Sequence, residues 1–131
     1  MRLASTMARY LLGLIVFVFG LNGFLHFIPQ PPMPPSPAAD FTGAMFVTHY
    51  LVVVFLLQLI PAVLLFANRY VPLALAVLGP VIVNIFLFHA FMAPSGLPLA
   101  LTVIALWLLV AASVRSAFSG IFLQRVSSYG E

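Results

Sequence analysis

The sequence predicts an all-α protein: an integral membrane four-helix bundle with antiparallel helices and both termini cytoplasmic. Three observations predict it. Of 131 residues, 64% are hydrophobic and 5% are charged, whereas soluble domains run about a quarter charged and about half apolar. Four apolar stretches each exceed the roughly 20 residues needed to cross about 30 Å of hydrocarbon at about 1.5 Å per residue. All five arginines fall in the segments that lie on one side of a four-span chain. A water-soluble enzyme of ordinary type and a disordered chain are both excluded by this composition.

The first span is expected over about 8–28, with Arg2 before it and Arg9 at its very start. A cleaved signal peptide is the competing reading. Its apolar region would be about 7–15 residues long, and cleavage would put the arginine-bearing ends on opposite sides, so the stretch is read as a span. Residues 29–37 read PQPPMPPSP, which favours an extended polyproline segment. A helix start follows at 40–42, with Asp40 as the expected N-cap.

The second span is expected over about 43–67, with Pro61 inside it. Asn68-Arg69-Tyr70 then forms a tight turn closed by Pro72. The third span covers about 71–93, kinked at Pro80, and Pro94-Ser95-Gly96 makes a second tight turn. The fourth span covers about 97–118, with Pro98 in its first turn. Short links make successive helices antiparallel neighbours. Residues 115–129 are mildly amphipathic and read equally as an interfacial helix on the cytoplasmic face or as a frayed extension of the fourth span. Tyr10, Tyr50 and Tyr70 stand near span ends, as interfacial anchors do. One domain of 131 residues is expected.

Arg2 and Arg9 lie before or at the start of the first span, Arg69 separates the second from the third, and Arg115 and Arg125 lie at the end of the fourth or beyond it. The opposite side carries only Asp40. Under the positive-inside rule both ends are cytoplasmic. A net charge of +3 is too small and too scattered for a nucleic-acid footprint. The absence of cysteine excludes disulfides, thiolate metal sites and dithiol redox chemistry.

Polar groups inside a bilayer are costly, so they carry the functional information. Asn22 and His26 lie on the first span, His49 and Gln58 on the second, and Asn84 and His89 on the third. Helical rise puts all three histidines within roughly 10 Å of the outer surface. Asn22 and His26, four apart, share a face. His49 and Gln58, nine apart, point to opposite faces of a straight helix, and Asn84 and His89 are about 140° apart. The candidate ligand-binding set is His26, His49, His89, Asn22 and Asn84.

A quinone headgroup fits that set. Its carbonyls accept hydrogen bonds from His and Asn, its tail wants apolar walls, and a histidine near neutral pH moves the proton of quinol chemistry. Histidines on two or three helices also suit haem, zinc or copper, with Asp40 as a possible proton relay or extra ligand. Hydrogen bonding between helices accounts for the same residues with no ligand. No residue is assigned a catalytic role. Gly13, Gly20 and Gly23 are expected to let helices approach closely, as small residues do in membranes.

Four runs together with the four-span layout resemble the DoxX family of small bacterial membrane proteins. They are Arg9-Tyr10-Leu11-Leu12-Gly13-Leu14, Phe19-Gly20-Leu21-Asn22-Gly23, Asn68-Arg69-Tyr70-Val71-Pro72-Leu73-Ala74, and Pro80-Val81-Ile82-Val83-Asn84-Ile85-Phe86-Leu87-Phe88-His89. The resemblance covers about 9–118. The family takes its name from a subunit linked to a terminal quinol oxidase and to thiosulfate:quinone oxidoreduction. The resemblance implies a redox-accessory role in the bacterial cytoplasmic (inner) membrane, with a quinone-like ligand near the outer leaflet. Where many members carry a lysine near the end of the first span, this chain has Asn22-Gly23. The alternative function is a non-catalytic scaffold or accessory subunit of a larger membrane complex. The expected partners are the lipid bilayer, a quinone, and a membrane protein partner or a second copy of the chain. No nucleic acid is expected.

Overall fold

The computed structural model describes residues 2–128. Every regular element among them is helical: α1 (Arg2–Leu25), α2 (Pro37–Val47), α3 (Tyr50–Ala67), α4 (Val71–Phe91) and α5 (Leu97–Ser113). Short 3-10 turns cover Pro94–Gly96 and Arg115–Phe122. Four helices are long and apolar enough to cross a membrane: Arg2–Leu25, Tyr50–Ala67, Val71–Phe91 and Pro94–Ser113. This is the multi-pass organisation that the composition demands.

Each boundary has a local cause. The first helix begins at Arg2, earlier than the apolar stretch, because the Leu3–Met7 segment contains no helix breaker. It ends at Leu25, because His26 adopts a left-handed backbone (φ 51) and prolines follow from Pro29. The second apolar stretch is not one helix. It divides into α2 and α3 at Thr48-His49, where His49 is left-handed (φ 62). The N-cap of α2 is Ser36, whose Oγ accepts from the Ala39 N–H at 3.2 Å. Pro37 takes the first helical position, where its missing N–H costs nothing, and Asp40 lies in the first turn. There its charge faces the positive end of the helix dipole rather than capping it.

The turn after α3 is a Schellman closure. Asn68, left-handed at φ 52, donates its N–H to the Leu65 carbonyl at 3.3 Å, and Arg69 donates to the Leu64 carbonyl at 3.1 Å. Pro72 sits in the first turn of α4 and Pro98 in that of α5. Residues 115–122 form a 3-10 turn rather than an α-helix. Its Ile121 and Phe122, with Leu123 beyond, are exposed, as interface-seeking side chains would be. Residue 129 lies outside the described residues.

The spans form a ring. α1 packs on α3 and α5, α3 packs on α4, and α4 packs on α5, while α2 touches α3 lightly. Along α1 and α3 the residue numbers run in opposition: Gly13 meets Leu65 and Phe66, Gly20 meets Gln58 and Leu59, and Gly23 meets Phe55. The three glycines permit this approach. A Cβ at Gly23 would fall 2.2 Å from the Phe55 ring.

The core is made of Ala8, Leu12 and Val16 of α1, Ala62 and Leu65 of α3, Ala74, Leu75 and Leu78 of α4, and Val103, Leu106 and Val110 of α5, among others. It occupies the half of the bundle that contains the start of α1. At most a third of each crossing window is buried, so most of the apolar surface is left for lipid or a partner.

Candidate functional site

None of the five residues singled out by sequence lines either of the two cavities described below. Asn22 is committed to the backbone. Its Oδ1 accepts from the Ile28 N–H at 2.7 Å, and its carbonyl accepts from the His26 N–H at 2.8 Å. It therefore shapes the exit from α1. His26 stands on that exit, outside the helix and exposed. His49 stands at the break before α3 and is likewise exposed. The expectation that both histidines ride on spans fails for one reason: each is a left-handed residue that ends or interrupts a helix, so each side chain is displaced from the helical register.

Asn84 lies within α4 and is exposed. Its Nδ2 donates to the Pro80 carbonyl one turn back, at 2.8 Å. Gln58 behaves oppositely. It is only 6% exposed and packs its Cβ against Gly20. His49 stands at the break rather than on one straight helix with Gln58, so the spacing of the pair does not set which way it faces.

His89 is the histidine built into packing. It lies in the last turn of α4, edge-on to Phe88 with ring centroids 5.1 Å apart. Its Nδ1 lies 3.1 Å from the Ala93 carbonyl. A carbonyl only accepts, so this contact requires the proton on Nδ1 and leaves Nε2 of the neutral ring as an acceptor. The ring also fills the space beside Gly96, where an added Cβ would lie 2.2 Å from Cε1. Gly96 is thus what allows the second tight turn to close over the imidazole.

A cavity of 280 Å³ lies between α4 and α5, lined by Gly79, Ile82, Val83, Phe86, Trp107 and neighbours. Its walls are almost wholly apolar. The α4 positions 79, 82, 83 and 86 follow a helical stripe whose next position is Ala90; His89 lies about 100° round the helix from Ala90 and is not one of the lining residues. Trp107 is held in the wall by its Nε1–H, which donates to the Leu75 carbonyl at 3.0 Å. Trp107 and Gly79, whose added Cβ would lie 3.8 Å from the indole, are the residues that sequence reading passed over. A lone tryptophan in the middle of an apolar span, with a glycine on the neighbouring span, was the available signal.

The chain matches no family model, no curated protein and no solved structure. Among the described residues, no group of three or more His, Cys, Asp or Glu side chains is placed to hold a metal ion. The convergence of three histidines that a zinc or copper site needs is absent from them. What remains is an apolar groove with an indole in its wall and, three residues beyond its last α4 lining residue, one imidazole whose Nδ1 is engaged by Ala93.

Proposed function

We propose that the chain is an antiparallel four-span protein of the bacterial inner membrane, with both termini cytoplasmic, and that it acts as a redox-accessory protein holding a quinone-like ligand. The single observation that carries the ligand reading is the apolar groove between α4 and α5 with Trp107 in its wall, and His89 is the polar side chain three residues beyond its last α4 lining residue. The groove takes the ring or a length of the tail, and His89 supplies the polar end. The likeness of the 9–14, 19–23, 68–74 and 80–89 runs to the DoxX family supports the redox-accessory part. The placement of all five arginines supports the orientation.

The tautomer sharpens the chemistry. With Nδ1–H engaged by Ala93, neutral His89 accepts through Nε2. A hydroquinone hydroxyl donates to that nitrogen, whereas a quinone carbonyl has no proton to give. The reduced form is therefore the preferred ligand. His26, His49 and Asn84 would then not be part of the same contact set.

Trp107 is the one tryptophan in the sequence, so its emission reports on the groove. Titrating the purified protein with a decyl-substituted benzoquinol should change that emission saturably, with tighter binding than the matching benzoquinone. His89→Ala should weaken quinol binding about 5- to 10-fold, the loss of about one hydrogen bond. Unchanged affinity in that variant sinks the ligand reading.

Asn84 favours a second reading. It is an exposed amide in the middle of an apolar span, and amides in such positions bond to neighbouring membrane helices. In that reading the chain is a scaffold or accessory subunit, and the α4 face at Asn84 meets the partner. Loss of co-purification of a second polypeptide in Asn84→Leu, with quinol binding absent from the parent protein, would establish it over the first.

A further inference from the structure

A second cavity, of 460 Å³, opens between the start of α1, the turn from α3 to α4 and the end of α5. Three arginines line it: Arg2, Arg9 and Arg115. No acidic residue among the described residues does. The one acidic residue among the described residues, Asp40, is on α2, the helix whose Phe41 stacks on Phe88 near the far end of α4.

The arginines are not equivalent. Arg9 is held in place. Its Nη1–H donates to the Leu65 carbonyl, and its guanidinium lies 4.4 Å from the centroid of the Tyr10 ring. A cation there also faces the negative end of the α3 dipole. The guanidinium groups of Arg2 and Arg115 have no hydrogen bond or ion pair with any other described residue. Three positive groups thus share one cavity without a counter-charge from the described residues. The remaining wall is mixed. Ser5, Asn68 and Ser113 are polar, while Leu109 and Val110 continue the apolar surface of α5 into the cavity.

We propose that this cavity binds the phosphate headgroup of an anionic phospholipid. Planar guanidinium forks match phosphate oxygens in pairs. Arg2 and Arg115 grip the phosphate, and Arg9 is the fixed third charge behind it. Basic pockets between membrane helices suit such headgroups. The apolar wall at Leu109 and Val110 selects a lipid over a free anion, because it receives the start of an acyl chain. The site is separate from the α4–α5 groove and stands whether or not that groove holds a quinone-like ligand.

The test is lipid retention by the full chain in nanodiscs of equal phosphatidylglycerol and phosphatidylcholine, read by native mass spectrometry after gentle release. The parent protein should carry phosphatidylglycerol in preference. Arg2→Gln with Arg115→Gln should lower that preference by about 5-fold per arginine removed. Arg125→Gln, outside the cavity, should leave it unchanged. Neither Arg2 nor Arg115 supports another described residue, so the double variant should keep its helical circular dichroism, and Arg115→Gln alone should show the smaller loss. Equal retention of the two lipids overturns the proposal. So does a preference that survives the double variant, or one that Arg125→Gln lowers as much. Displacement of phosphatidylglycerol by millimolar inorganic phosphate overturns the lipid assignment in favour of a free-anion site.

Discussion

His26 and His49 hold the left-handed backbone at φ 51 and φ 62. That conformation costs a residue with a Cβ roughly 1–2 kcal/mol relative to glycine. His49→Gly should therefore raise the stability of the bundle by about 0.5–1 kcal/mol, after the extra chain entropy of glycine is subtracted. Thermal unfolding in detergent measures it, and a fall in stability would mean that the imidazole makes a contact worth more than the strain. Gly23 gives the opposite case. Gly23→Ala should weaken the α1–α3 contact by about 1–3 kcal/mol through overpacking against Phe55, and Phe55→Leu in the same chain should recover most of the loss. The roles of Gly13, Gly20 and Gly23 were legible in the sequence, since a small residue on a span has few other uses. The positions of His26 and His49 were not. Their place depends on backbone dihedrals, and nothing in the residue type His announces a helix stop.

At the scale of elements, the second apolar stretch shows what hydropathy can and cannot tell. Hydropathy is continuous across Thr48-His49, so a single span from 43 onward was the natural expectation. The structure instead places an 11-residue α2 ahead of α3. At about 1.5 Å per residue, α2 is about 16 Å long and cannot cross the hydrocarbon. It lies against the end of the bundle that holds the last turns of α4, where Phe41 stacks on Phe88 at 5.9 Å. Its start was partly legible. Ser36-Pro37 is a good N-cap and first-position pair, but the run of prolines before it directed attention to Asp40. Ser36→Ala should fray α2 by about 1 kcal/mol, seen as faster amide exchange at Ala39 with α3 unaffected. An unchanged rate at Ala39 would show that Pro37 alone fixes the start.

For the whole molecule, the sequence spoke most clearly about setting and least about chemistry. Apolar length and composition are summed properties and survive local errors, so four crossing helices could be read directly. A binding site depends on which side chains meet, and none of the five candidates lines either of the two cavities. The orientation of the chain is open to a direct measurement, because the natural sequence has no cysteine. Single Pro34→Cys and Ser116→Cys variants in intact cells should differ. A membrane-impermeant maleimide should label the first and spare the second until the cells are opened. Labelling of both, or of Ser116→Cys alone, would contradict cytoplasmic termini.

Packing is uneven along the bundle axis. Buried residues on α1 stop at Gly20, on α3 they begin at Gln58, and on α4 they stop at Ile82. Mechanically, compliance is therefore concentrated at one end. The helices are joined firmly where the arginines lie and can part more cheaply beside α2 and His89. Amide exchange should progress inward from residues 21–25 and 83–91, with the Leu12, Leu65 and Leu75 turns last to open. A leaflet that spreads on the histidine side would part that end of the helices first and leave the arginine end closed.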